Sequence, residues 1–324
     1  MTAIRLPQPY EGPMAWRAAE LPPDAGVIRL NPAALAELAD AAAFLAANPL
    51  PTEALEPEAF DMPACQAAMA EARRALDAGL GFAVIDRLDV SDPLIATKLY
   101  WLLMAMAAPI VAQKHDGTMI YDVADTGAEA LAGNGVRASK TNARQGFHSD
   151  NAFNLPPDYV ALLCLQPAKE GGVSGLISFQ TVYNRLLETS PGDVVRRLFE
   201  PFWFDRQLEH APGDAPVSRK PAFQAAASGG VEVAFSPRLV RQGAEVRGEA
   251  MDDRAEAALQ ALATITEDAA LAHSFAFEPG QIQIVNNRRI GHRRTAFVDW
   301  PEPERRRRLV RLWMRTSGRP FYAG

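Results

Sequence analysis

Cysteine is nearly missing from this sequence: Cys65 and Cys164 are the only two in 324 residues. One sits in an alanine-rich helical pattern and the other in an apolar strand pattern, which is no disulfide framework. They read as buried thiols of a reducing cytoplasm. Long apolar runs are absent too. The longest, Leu99 to Val111, contains Pro109 and falls short of the ~18 residues that a spanning helix needs. The start, MTAIRLPQPYEGP, has neither the charged beginning nor the apolar stretch of a secretory signal. Positive charge is in deficit, with 33 Lys and Arg against 39 Asp and Glu and a net charge of −6. Phosphate backbones want a basic face, so nucleic acid is a poor partner for this chain. These absences leave a cytoplasmic protein with no membrane or nucleic-acid partner, and a small molecule as the expected ligand.

The composition, 48% hydrophobic and 22% charged, is that of an ordinary globular chain able to bury a large core. Its first half is mostly helical in pattern. Asn31 and Pro32 form a cap and first-turn pair for a helix through about Ala47. A second helix spans about Pro63 to Ala78 and stops at Gly79 and Gly81. Phe82 to Ile85 reads as a buried strand. Ser91, Asp92 and Pro93 open a third helix that Pro109 closes, and Asp125 to Val136 is loop.

The texture then changes. Tyr159 to Leu165, Ser174 to Ser178, Phe202 to Phe204, Val231 to Phe235, Gln281 to Val285 and Leu309 to Met314 all have strand character. Ser178 caps a helix to about Glu188, Ser190 and Pro191 open a short one, and Met251 to Ala272 reads as one amphipathic helix. Short strands separated by turns, with helices before and between them, predict an α+β fold. Its core is a jelly roll, or double-stranded β-helix, with flanking and inserted helices. One domain over 1–324 is expected, with a largely helical flank at 1–135 and the core at 136–324. The helical insert lies near 250–272.

Three segments carry chemistry. In Gly146-Phe147-His148-Ser149-Asp150, an extended backbone puts His148 and Asp150 on one strand face, where an imidazole and a carboxylate can bind one divalent metal. Alone, such a pair is common surface polarity. A third ligand is available in Asn286-Asn287-Arg288-Arg289-Ile290-Gly291-His292, which follows the strand at Gln281 to Val285. Two histidines and one carboxylate leave three octahedral positions open, the arrangement suited to oxygen-activating non-haem iron. The last segment is Arg305 to Met314. Alternation places Arg307, Leu309 and Arg311 on one face and Arg308, Val310 and Leu312 on the other. An arginine buried with such apolar partners needs an anion, and its fork suits a carboxylate. A solvated basic strand end is the blander reading of that run.

Taken in order, these segments resemble the taurine dioxygenase (TauD/TfdA) family of Fe(II)/2-oxoglutarate-dependent dioxygenases, with features of its clavaminate synthase-like branch. The resemblance covers roughly Asn142 to Arg315. It rests on FHSDNAF at Phe147 to Phe153, PDYVALLCLQPAKEGGVS at Pro157 to Ser174, NNRRIGHRRTAF at Asn286 to Phe297, and the arginine-rich strand. It implies Fe(II) as metal, 2-oxoglutarate as cosubstrate and O2 as oxidant. It implies further that His148, Asp150 and His292 are the iron ligands. Arg307, fifteen residues after His292, is similar to the arginine that pairs with the distal carboxylate of 2-oxoglutarate. Arg306 is its rival, but Arg307 stands four before Arg311, as in the family's pair. Ser174 replaces the usual threonine whose hydroxyl also meets 2-oxoglutarate. Arg311 is similar to the second arginine, which meets substrate in some branches and lies nearer the cosubstrate in others. Asn142 falls in a region that often touches substrate, or caps its loop.

The expected reaction is hydroxylation, or another oxidation, of an unactivated C–H bond in a small anionic or zwitterionic metabolite such as an amino acid derivative. The carboxylate ligand Asp150 favours hydroxylation over halogenation, since iron halogenases of the superfamily lack it. Two other classes remain in view. One is a metal-dependent hydrolase on the same triad, which lacks an obvious general base. The other is a catalytically silent jelly-roll binding protein. Tyr121 and Asp122 are candidates to face a pocket, and His115, His210 and His273 lie outside any ligand pattern.

Overall fold

A computed structural model describes residues 4–318. Eleven strands build the two sheets that frame the site. In chain order they are β1 (Val27–Arg29), β2 (Phe82–Asp86), β3 (Ile110–Val111), β4 (Tyr121–Val123), β5 (Gln145–His148) and β6 (Tyr159–Gln166). Then come β7 (Ser174–Ser178), β8 (Ala272–Phe275), β9 (Ile282–Asn286), β10 (Ile290–Arg294) and β11 (Arg308–Met314). The larger sheet runs β1-β2-β9-β6-β11-β3, with β4 also on β11, and the smaller runs β8-β7-β10-β5. These are the two faces of the expected jelly roll. The helical flank contributes more than helices, because β1 to β4 all join the larger sheet.

The helices are α1 (Pro32–Ala47), α2 (Pro63–Ala78), α3 (Pro93–Ala107), α4 (Phe179–Thr189), α5 (Gly192–Arg197), α6 (Pro237–Arg247) and α7 (Asp253–Thr266). Their starts follow from side chains that spend themselves on orphan N–H groups. Asn31 Oδ1 accepts from Ala34 at 2.9 Å, and Asp92 Oδ1 accepts from Leu94 and Ile95 at 2.9 and 3.1 Å. α1, α2 and α3 cover the outer face of the larger sheet. Leu38, Leu45, Met69, Leu76, Leu99 and Leu103 pack there against Ala161, Leu163, Ile282, Ile284, Val310 and Leu312. The alternate residues of β11, Leu309, Arg311 and Trp313, are buried on the opposite face, toward the smaller sheet. At the start of β11 Arg308 is exposed, while Arg307, just before it, is buried.

Two expectations are corrected, and one helix is added. The single helix at Met251 to Ala272 is α7 alone, ending at Thr266, after which Ala272 already belongs to strand β8. An apolar stripe continued past the helix end because β8 also buries residues, so periodicity ran on where the backbone did not. His292 is not delivered by the strand at Gln281 to Val285. A turn at Asn287–Arg289 intervenes, and His292 lies on β10 in the other sheet. Helix α6, unread in the sequence, starts at Pro237 behind Ser236.

Both cysteines are free and buried, and burial pushes each thiol up to about 12. No helix among the described residues is long and apolar enough to cross a membrane.

Candidate metal centre and its two cavities

β5 and β10 are antiparallel neighbours, and their ladder sets His148 directly opposite His292. The two imidazoles are 4.3 Å apart between centroids, tilted by 49°. Asp150 stands two residues beyond the end of β5. Its Oδ1 lies 3.4 Å from His148 Nε2 and 3.5 Å from His292 Nε2. The donor atoms of the three residues all lie within 4.8 Å of one another, and among the described residues no other group of metal-binding side chains converges in this way. Side chains 142 positions apart are brought together because Asn287 ties the turn before β10 to the turn after β5. Fully buried, it accepts from the Asp150 N–H at 2.7 Å and donates to the Asp150 and Pro157 carbonyls at 3.1 Å each.

Protonation suits a cation. His148 Nδ1 lies 2.9 Å from the Gly146 carbonyl, which only an N–H can satisfy, so Nε2 keeps its lone pair for a metal. Gln145 Nε2 sits 2.9 Å from that Nε2, as a donor would. Burial and the neighbouring His148 lower His292 below the usual imidazole range, against the pull of Asp150. Burial alone would raise the Asp150 carboxyl, yet Arg311 and the two imidazoles hold it well below the ordinary carboxylate range. Two imidazoles and one ionised carboxylate, buried and converging, fit a divalent ion that takes nitrogen and oxygen ligands.

The other carboxylate oxygen is already spent. Asp150 Oδ2 accepts from Trp313 Nε1 at 2.8 Å and pairs with Arg311 at 2.9 Å. Arg311 in turn donates through Nε to Gln113 Oε1 at 2.8 Å, and its guanidinium lies 4.6 Å from the Tyr121 ring centroid. Oδ1 is thereby aimed at the histidines. Changing Trp313 to Phe keeps most of the packing and removes one of these two restraints. We expect Trp313→Phe to weaken Fe(II) binding about 10–100-fold, the usual cost of losing an outer-shell partner. Equilibrium dialysis measures it, and unaltered affinity would show that Oδ2 needs no such support.

Two cavities meet at this triad. The first holds Ser174, Gln283, Arg294 and Arg307, with Leu162 and Phe277 as apolar walls. Arg307 reaches it from the strand face shared with Arg311, whereas Arg306 is exposed and points its guanidinium at the Pro301 carbonyl. Burial lowers Arg307 to about 10, and its NH1 has no hydrogen-bond partner. Arg294, lowered to about 10 by burial and by Arg307, has an unpartnered Nε. Both guanidiniums lie over the Phe297 ring, at 4.7 Å for Arg294 and 5.0 Å for Arg307. Gly172 (φ +67°) gives Arg307 its room, since a Cβ there would come within 3.2 Å of Nε. Ser174 donates to Gln283 Oε1 at 2.5 Å. Two desolvated cations with unspent N–H groups make this end a site for an anion.

The second cavity lies on the other side of Asp150. Arg137, Asn151, Phe153, Gln207, Arg238 and Leu239 are among its walls, and Arg311 lines both cavities. Arg137 is paired with Glu209 at 2.6 Å. Asn142 does not reach either cavity; it is exposed, and its carbonyl accepts from Phe297 at 3.2 Å. Asp122 pairs with Arg308 at 2.9 Å, His115 with Glu209 at 3.0 Å, and His273 stacks on Phe82.

Sequence reasoning missed Gln113, Arg137, Arg238, Gln283, Arg294 and Trp313. Trp313 and Arg294 had a signal, each two places beyond a residue singled out on the same strand, Arg311 and His292. The others come from segments whose pattern says nothing about a cavity.

Comparison with known proteins agrees with this geometry. The family model described as "Taurine catabolism dioxygenase TauD, TfdA family" matches residues 46–313. FR-33289 synthase of Streptomyces rubellomurinus is 27% identical over 327 residues, 98% of this chain and 93% of that protein. A taurine hydroxylase-like protein of Stachybotrys chartarum is 30% identical over 183 residues, 51% of this chain and 41% of that one. Among solved structures, an asparagine oxygenase in complex with Fe(II), 3-hydroxyasparagine and succinate superposes with a TM-score of 0.63 at 22% identity, over 90% of this chain and 94% of that one. The non-heme iron oxygenase OrfP, in complex with Fe and alpha-ketoglutaric acid, gives 0.64 at 16% identity with the same coverage. At such identities the structural likeness speaks for the fold.

Proposed function

The chain belongs to the TauD, TfdA family and is an Fe(II)- and 2-oxoglutarate-dependent oxygenase, and we propose that it hydroxylates an unactivated C–H bond of a small, amino-acid-like metabolite. One observation carries the reading: the triad stands where two cavities meet, and one of them ends in two buried guanidiniums with no ion-pair partner among the described residues. The amino-acid-like class is motivated by the hydroxylated asparagine and hydroxylated arginine bound in the asparagine oxygenase and OrfP structures.

In this reading His148, Asp150 and His292 hold the iron. Arg307 grips the distal carboxylate of 2-oxoglutarate through paired N–H donors, with Arg294 beside it. Ser174 turns its hydroxyl from Gln283 to the same carboxylate. Bound iron, 2-oxoglutarate and O2 supply the oxidising power, coupling loss of carbon dioxide and formation of succinate to oxidation of the substrate carbon. Arg311 and Trp313 keep Asp150 ionised and aimed. Phe153, Leu239 and Trp313 on one side, and Leu162 and Phe277 on the other, exclude water from the meeting point. Hydrolysis on the same triad would need a general base, and Asp150 is the only carboxylate among the described residues lining either cavity.

Anaerobic titration tests the assignment. Fe(II) followed by 2-oxoglutarate is expected to raise a visible charge-transfer band in the wild type and none in His292→Ala. A wild type that stays colourless overturns it.

A further inference from the structure

The second cavity carries a charge count that narrows the substrate. Three guanidiniums line it: Arg137, Arg238 and Arg311. Arg137 is neutralised by Glu209 at 2.6 Å and Arg311 by Asp150 at 2.9 Å. Among the described residues Arg238 has no carboxylate within salt-bridge distance; its NH1 donates to the neutral amide of Gln242 at 2.8 Å, and burial depresses it below the usual guanidinium range. Asp205, the acidic group that opposes this depression, is already accepting from the Gln207 and Gly133 N–H groups at 2.8 and 3.2 Å. Arg238 therefore brings to the cavity a guanidinium with no contact ion pair among the described residues, offset only from a distance by Asp205.

Its surroundings are built for an anion. Arg238 is in the first turn of α6, an eleven-residue helix whose opening N–H groups receive no side-chain cap. Ser236, immediately before that turn, is only 8% exposed and lines the same cavity. Its hydroxyl makes no hydrogen bond among the described residues, although a serine here would ordinarily cap the helix. An unspent hydroxyl, uncapped helix N–H groups and an unpaired guanidinium thus share one wall.

The opposite charge is missing. Asp150 is the only carboxylate among the described residues lining this cavity, and its two oxygens face the histidines and the Arg311–Trp313 pair. The acceptors left over are neutral: Asn151 Oδ1, buried without a hydrogen-bond partner, and the Gln207 side chain. A free ammonium group entering here would lose its hydration and find no unspent carboxylate among the described lining residues.

Resting on the oxygenase reading above, we propose that the substrate is held by an oxyanion head group (carboxylate, sulfonate or phosphonate) on Arg238, Ser236 and the first turn of α6, and that it presents no free ammonium to this cavity. Any nitrogen that it presents here is uncharged. This departs from the simple zwitterionic amino acid.

The test uses protein loaded anaerobically with Fe(II) and 2-oxoglutarate, titrated calorimetrically with acetate, methanesulfonate and methylphosphonate, and with glycine as the zwitterionic match of acetate. At least one oxyanion probe is expected to bind the wild type with a Kd of about 10 mM or tighter. Arg238→Gln is expected to weaken that probe at least tenfold and Ser236→Ala severalfold, while glycine binds no better than acetate. Which probe binds tightest distinguishes the three head groups. Equal binding to Arg238→Gln, no binding of any probe to the wild type, or tenfold preference for glycine over acetate each overturns the proposal. The charge-transfer band in the same samples separates this from the parent assignment. A band in wild type and Arg238→Gln alike certifies folding and the metal site, whereas no band in either sinks the oxygenase reading itself.

Discussion

Asp150→Ala is expected to abolish iron-dependent turnover and, in the metal-free protein, to cost about 3–5 kcal/mol of stability, the usual penalty for stranding a buried charge. The two effects have different origins. Turnover is lost with the carboxylate that completes the proposed ligand set. Stability is lost because Arg311 would keep its charge, buried at 7% exposure, with only the Gln113 amide and aromatic faces around it. His292→Ala should also lose the metal, yet it strands no charge, so its metal-free form should unfold at a higher urea concentration than Asp150→Ala. The sign of the pH dependence follows from the Asp150 carboxyl, which is held below its ordinary range. Such a group contributes fully above its unfolded pKa of about 4 and loses its contribution only as pH falls toward the folded value. The gap between wild type and Asp150→Ala should therefore be constant across neutral pH. A metal-free Asp150→Ala as stable as wild type would remove Arg311 from its place behind the carboxylate.

Arg307→Gln is expected to raise the 2-oxoglutarate concentration needed for half-maximal rate about 100-fold, with a smaller change in kcat at saturation. Two charge-assisted hydrogen bonds at about 1.5 kcal/mol each set that scale. Here the stability signature inverts. Arg307 is buried beside a second cation, Arg294, and its NH1 is unpartnered, so the metal-free protein already carries the desolvation cost. Arg307→Gln should leave that protein as stable as wild type or more so, the pattern of a group kept for binding. An unchanged 2-oxoglutarate requirement, measured as succinate release against cosubstrate concentration, would refute the assignment of Arg307. A residue that cost stability without altering the requirement would instead be part of the scaffold.

Much of the framework was legible from short-range rules. The boundaries of α1 and α2 were readable because Asn31, Pro32, Pro63 and Gly79 act on the residues beside them. Strand β11 was readable because a period of two separates Leu309, Arg311 and Trp313 from Val310, Leu312 and Met314 whatever lies on either side. The α7 region failed because the same apolar pattern continues from a helix into β8. The missed α6 begins behind a serine that does not cap it, so the local signal is weak in the molecule as well.

The triad occupies a middle position. His148 and Asp150 are close in sequence, and His292 stood out through its motif, but their convergence depends on the β5–β10 ladder and on the Asn287 clamp. By itself the sequence determined which side chains offer metal-binding chemistry, where helices start and which strand face is buried. All of these depend on near neighbours and fixed backbone periods. Only the tertiary structure decided that Arg311 backs Asp150, that Arg294 joins Arg307, and that Arg238 lines the second cavity. Pairing of charges is a property of distances between distant segments, and burial raises its energy from negligible to decisive.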